Sequence, residues 1–288
     1  MKTKKLIRQI VQTVPADLGG AVLDQALPVP GIARIDPFLL IHHANFEFKK
    51  GVRPQDAGVG PHPHRGFSPV TFIFEGSVQH QDSRGNKAEV SEGGTQWMHA
   101  GMGIIHSERP GKEFAKEGGK QEIIQFWVNS PAKHKMDAPS YQPISAAETP
   151  KITKDKAIIG VVAGEFEGVE GPAKNLTPQK LLRLDTQQGA SFVLDIPSAY
   201  NCLLYLLDGE MQVNGKTIKG KEMACFDNDG TEIEIQSNQA TRAILLSGEP
   251  IGEPVNKYGP YVMNTQTEIM EAMRDYQMGK MGVLIEEF

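Results

Sequence analysis

The sequence predicts an all-β protein organised as two tandem β-barrels with a few short helices, one of them near the C-terminus. Three observations predict it. Glycine (30) and proline (19) are abundant among the 288 residues. The apolar runs they punctuate are about five residues long, the length of strands, and turn signals recur roughly every 8–12 residues, as in a sandwich or small barrel. The order of turns also repeats. A strand, Asp208-Gly209-Glu210, Met211-x-Val213 and Asn214-Gly215 in the second half echo a strand, Glu75-Gly76, Val78-x-His80 and Arg84-Gly85-Asn86 in the first.

In order along the chain, Ala21-Val22-Leu23, Ala33-Arg34-Ile35 and Phe38–Ile41 read as short strands broken by Pro28, Pro30 and Pro37. The first dense β region holds Val70–Phe74, Ser77–Asp82, Lys87–Val90, Gln96-Trp97-Met98 and Glu122–Asn129. From Ser130 the composition turns polar and proline-rich. The expected domains are therefore an N-terminal barrel over 1–138, a linker over 139–156 and a C-terminal barrel over 157–288. In that second barrel Ser191–Pro197, Cys202–Leu207, Glu232–Ile235 and Arg242–Leu246 read as strands, and Asn214-Gly215 as a two-residue hairpin turn. Thr265-Gln266-Thr267-Glu268 fits a capping box, so an amphipathic helix is expected after it, stopped near Gly279.

The net charge of −5 supplies no bulk attraction to nucleic acid, so no direct nucleic-acid partner is expected. There is no run of about 18 apolar residues to cross a membrane. The basic start, Met1-Lys2-Thr3-Lys4-Lys5, is followed by no apolar stretch long enough for a secretory signal. The two cysteines, Cys202 and Cys225, lie in apolar surroundings and read as buried free thiols of a cytoplasmic protein.

Two stretches carry chemistry: His62-Pro63-His64-Arg65-Gly66 and His106-Ser107-Glu108. Side chains at i and i+2 of a strand share a face, so each stretch aims two metal-capable groups the same way. A barrel that joins them around one ion would offer three imidazoles and a carboxylate. Such a set suits Fe(II), Mn(II), Ni(II), Cu(II) or Zn(II), and in an octahedral ion it leaves positions open. His99 is expected in a solvated loop or beside the ligands, and Arg65 in a surface pair. If the first strand keeps its register past Gly66, then Ser68, Val70, Phe72 and Phe74 share the ligands' face and line a substrate pocket. No histidine follows His134, so no metal is expected in the second barrel.

The wider pattern resembles the pirin family of the cupin superfamily. The resembling residues are Asp36-Pro37-Phe38, His62-Pro63-His64-Arg65-Gly66-Phe67, Glu75-Gly76, Gln96-Trp97-Met98, Ala100-Gly101-x-Gly103-Ile104-x-His106-Ser107-Glu108 and Trp127-Val128-Asn129. In the second half they are Gly248–Val255 and Gly259–Thr265. The resemblance implies a bicupin fold with a single iron in the N-terminal barrel, and puts the ligands on His62, His64, His106 and Glu108. It implies one of two activities. The first is a quercetin 2,3-dioxygenase, acting on a flavonol and dioxygen, with Glu108 as the catalytic proton acceptor. The second is a regulator whose iron state alters a surface that binds a transcription factor or a metabolic enzyme. One position departs from the pattern: Ser68-Pro69 stands where the family usually carries a glutamate.

Overall fold

The computed structural model describes residues 3–288. Met1 and Lys2, the first residues of the basic run that argues against a secretory signal, lie outside the described residues. The chain divides into two compact units, each built almost entirely of antiparallel strands.

One unit takes the chain through His43 together with Glu148–Pro250. Its larger sheet runs Ile7–Gln12, Glu222–Phe226, Asn201–Leu206, Thr241–Gly248, Gln179–Thr186, Ala157–Ala163 and Lys151–Lys154. A smaller sheet runs Ser191–Asp195, Glu232–Ser237, Glu210–Val213 and Lys216–Lys219. Leu182, Leu204 and Leu245 from the first meet Phe192, Met211 and Ile233 from the second in one core, which is how alternating strands bury one face each. Asn214 and Gly215 sit at φ of 47° and 78°, the left-handed pair that a two-residue hairpin requires. Cys202 and Cys225 are buried and free.

The other unit takes Ala44–Ala147 together with Ile251–Phe288. In chain order its elements are β1 (Val59–His64), β2 (Phe67–Glu75), β3 (Ser77–Asp82), β4 (Lys87–Ser91), β5 (Thr95–His99), β6 (Ile104–Pro110), the short helix α1 (Lys112–Glu117), β7 (Gly119–Asn129) and β8 (Ser140–Ile144). They are followed by the hairpin β9 (Asn256–Tyr258) and β10 (Tyr261–Met263), and by helix α2 (Gln266–Gln277). One sheet has the order β1-β6-β3-β4, and a second contains β8-β5-β2-β7.

This division differs from the expected domains 1–138, 139–156 and 157–288. The supposed linker holds two paired strands: β8 pairs with β5, and Lys151–Lys154 pairs with Ala157–Ala163. The chain ends also belong elsewhere than sequence order suggests. Ile7–Gln12 pairs with Glu222–Phe226, and the buried Lys5 ammonium donates to the carbonyls of Asp227 (3.3 Å) and Asp229 (3.1 Å). At the other end Arg65 bridges to Tyr261, and the Val262 amide donates to the Arg65 carbonyl at 3.1 Å. The Lys135 ammonium donates to the carbonyls of Gly66 (2.7 Å) and Val262 (3.0 Å) and to Asn129 Oδ1 (2.8 Å). Burial pushes this lysine down to about 8.

Helix α2 carries the expected capping box: Thr265 accepts from the Glu268 amide, and the Glu268 carboxylate accepts from the Thr265 amide. Its buried residues, Ile269 and Ala272, pack with Tyr261, Met263 and Met281. Arg65 is buried and not a surface residue. Its Nη1 and Nη2 each lie 3.1 Å from Asp275 of α2, and its Nε donates to the Met102 carbonyl at 2.6 Å.

Candidate metal centre

The site grows from the pairing of β1 with β6. Antiparallel register sets His62 opposite His106 and His64 opposite Ile104. Because His62 and His64 alternate onto one face, both rings converge on that of His106. Ring centroids lie 4.7 Å (His62–His64), 4.4 Å (His62–His106) and 4.9 Å (His64–His106) apart. A bulge in the pairing follows His106, where Glu108 falls opposite Val59.

The ring nitrogens are oriented for coordination. His62 Nδ1 donates to the Gly60 carbonyl at 2.8 Å, so its Nε2 carries the lone pair. That Nε2 lies 3.0 Å from His64 Nε2. Two ligands at right angles around an ion with bonds of about 2.1 Å stand about that far apart. His106 Nε2 is buried with no protein partner. One nitrogen from each of the three rings lies within 4.8 Å of the others, so the group could hold a metal ion.

Burial also keeps two of the rings neutral, as a ligand must be. His64 is held well below the ordinary histidine value by burial, then by the charge of His62, with the Pro260 carbonyl opposing. His106 is lowered by burial and by His62, His64 and His80 together. Phe67 and Trp127 pack beside the triad, with centroids 5.0 and 5.5 Å from His64 and 4.2 Å from each other. The Lys257 ammonium lies 4.7 Å from the Trp127 ring.

Glu108 is not brought into the histidine cluster. Its carboxylate accepts from Gln96 Nε2, from Gln125 Nε2 at 2.8 Å and from Thr71 Oγ1 at 3.4 Å. Pro69, His80, Gln96, Met98, His106, Glu108 and Tyr141 line a narrow gap too tight to admit a water molecule. His99 is buried at the end of β5, outside the cluster, with its Nδ1 3.4 Å from Ser68 Oγ.

The expected pocket residues Ser68, Val70, Phe72 and Phe74 do not share the ligands' face. Gly66 adopts φ 86° between β1 and β2, and its amide donates to the Gly101 carbonyl, so the alternation restarts at Phe67. Phe67, Pro69 and Thr71 turn to the site instead. Phe72 faces the other way and meets Phe126 at 5.1 Å. Sequence reasoning also passed over His80 and Asp82, although His80-Gln81-Asp82 has the spacing of His106-Ser107-Glu108. That repeated pattern was the available signal. Gln125 and Tyr141 carried none.

Comparison with known proteins agrees with this architecture. The Pirin family model matches residues 21–128, and the Pirin C-terminal cupin domain matches residues 181–282. Pirin-like protein 2 of Arabidopsis thaliana is 36% identical, over 97% of this chain and 86% of that protein. Human pirin is 32% identical, over 97% and 94%. The crystal structure of a quercetin 2,3-dioxygenase from Acinetobacter baumannii superposes with a TM-score of 0.93 at 34% identity, covering 98% of this chain and 100% of that one. The two barrels, the motifs on their strands and the reach of these matches through both halves lead to one conclusion: the chain belongs to the pirin family of cupin proteins.

Proposed function

We propose that this pirin is a mononuclear, Fe(II)-dependent dioxygenase that opens the central ring of a flavonol such as quercetin with release of carbon monoxide. The observation that carries this reading is the three-histidine cluster, with one ring nitrogen from each within 4.8 Å of the others. Its likeness to a structure named for that reaction supports the choice of reaction class. His62, His64 and His106 would hold the ion. Neutral nitrogen donors suit iron, and would also accept manganese, nickel, copper or zinc. When bound, the metal supplies Lewis acidity toward an enol hydroxyl and a redox couple for dioxygen.

The chain's own residues do the rest. Glu108 accepts the proton of the flavonol 3-hydroxyl. Gln96, Gln125 and Thr71 fix its carboxylate in place, leaving it on the same narrow gap as His106. Glu108 thus serves as a base held next to the triad, and the fourth-ligand role implied by the family likeness would need it to leave these donors. That gap is too tight to admit a water molecule, far below the roughly 300–1,000 Å³ that hold drug-sized ligands. The flavonol instead approaches past His62, the half-buried member of the triad, with the half-buried Trp127 ring beside His64 as its apolar neighbour.

Anaerobic loading with Fe(II), then addition of quercetin and air, tests the reading. Quercetin absorbance should fall with uptake of dioxygen and release of carbon monoxide, and His64→Ala should abolish both with its circular dichroism unchanged. Iron-loaded protein that leaves quercetin intact would falsify the activity. The regulatory alternative uses the same triad, and no feature of the described residues favours it.

A further inference from the structure

Behind the triad stands a second pair that neither the reaction nor the family motif uses. β3 lies antiparallel to β6, with Asp82 opposite His106 and His80 opposite Glu108. Both side chains are buried, 1% exposed for His80 and 0% for Asp82. Asp82 Oδ1 accepts the backbone amides of Arg84 (2.8 Å) and Asn86 (3.1 Å). Its Oδ2 accepts Asn86 Nδ2 at 2.8 Å and His80 Nε2 at 2.9 Å. Burial alone would raise this carboxyl, but the bonds from His80, Asn86 and Arg84 outweigh it and set it below its ordinary value.

A carboxylate can only accept, so a His80 ring with one proton holds it on Nε2 and leaves the lone pair on Nδ1. Stacking on Tyr141, with centroids 3.8 Å apart and planes 6° apart, fixes the ring. His80 Nδ1 lies 3.4 Å from His106 Nδ1. An acceptor there makes His106 Nδ1 the donor and leaves the lone pair on His106 Nε2, the buried atom with no protein partner.

We propose that Asp82 and His80 are positioning residues, which fix the tautomer of His106 so that Nε2 can bind the metal. The inference rests on the reading of the triad as a metal centre. It gives Asp82→Asn a definite consequence. The two backbone amides hold the asparagine carbonyl where Oδ1 now sits, which turns the amide group toward His80 Nε2. His80 must then carry its proton on Nδ1 and donate to His106. The His106 proton moves to Nε2, where it blocks coordination.

The test uses the full chain and Co(II) as the probe. Nitrogen-15 histidine spectra of the metal-free wild type should show His106 protonated on Nδ1, and those of Asp82→Asn on Nε2. Competition with a chelator should show Co(II) affinity reduced about 10–100-fold in Asp82→Asn, the range for loss of a ligand's hydrogen-bond partner. His80→Phe keeps the stack on Tyr141 but offers no acceptor, so it should lose affinity in the same range. It also carries the test if Asp82→Asn does not fold. A wild type that takes up no Co(II) overturns the metal centre and this inference with it. A wild type that binds Co(II) but protonates His106 on Nε2, or folded variants that bind it equally well, overturns the positioning role alone.

Discussion

Each histidine of the centre has a distinct environment. His62 is half-buried and tied to Gly60, while His64 and His106 are buried and kept neutral by their surroundings. These candidate ligands were legible because i, i+2 spacing on a strand is a local property, readable without knowing the partner strand. The setting of Glu108 was not, because Gln96, Gln125 and Thr71 reach it from three other strands. Glu108→Gln separates its possible roles. If Glu108 is a base, Co(II) affinity should stay within about threefold while quercetin turnover falls about 10²–10⁴-fold, the usual worth of a general base. A loss of affinity matching the loss of turnover would make it a ligand.

At the scale of elements, the junction of β1 and β2 decides what faces the histidine cluster. Gly66 adopts a backbone conformation that residues with side chains rarely hold, and a Cβ there would meet the Val262 carbonyl oxygen at 2.0 Å. Gly66→Ala should therefore destabilise the protein by roughly 2–5 kcal/mol, combining backbone strain with overpacking, as read by urea unfolding. A stability within error of the wild type would contradict this role for the turn. The same residue explains why the expected pocket fell on the wrong face. His64 and Phe67 are separated by a reset of the pleat, which a rule of strict alternation cannot register. Asn214-Gly215 was legible for the opposite reason, since a two-residue turn states its own dihedral angles.

For the whole molecule, the units interleave the chain ends, and no local pattern discloses that. The pairing of Ile7–Gln12 with Glu222–Phe226 joins segments more than two hundred residues apart. Within the unit that carries the triad, the C-terminal segment is held by charge. Arg109 Nε and Nη2 lie 2.8 and 2.9 Å from the Glu286 carboxylate, and the buried Arg65 guanidinium pairs with the half-buried Asp275. Removing one partner of a buried pair strands the other, so Asp275→Ala should cost roughly 3–5 kcal/mol in chemical unfolding. An Asp275→Ala protein as stable as the wild type would show that the pair does not hold the segment. Asp275 is held below its ordinary value by Lys280 and Arg65 against the effect of burial, and Glu286 chiefly by Arg109. A carboxyl lowered by folding binds more protons in the unfolded chain. Its contribution is therefore present above the ordinary carboxylate value and lost as pH falls through the folded one. Stability should decline below about pH 4, less steeply in Asp275→Asn. An identical acid profile would contradict this.

The central claim, that His62, His64 and His106 form one metal centre, is tested most directly by anaerobic Fe(II) loading, desalting and elemental analysis. The account predicts about one iron per chain in the wild type and almost none in a folded His106→Ala protein, since each ligand is required for a closed set of three. Equal iron in the two proteins would contradict it.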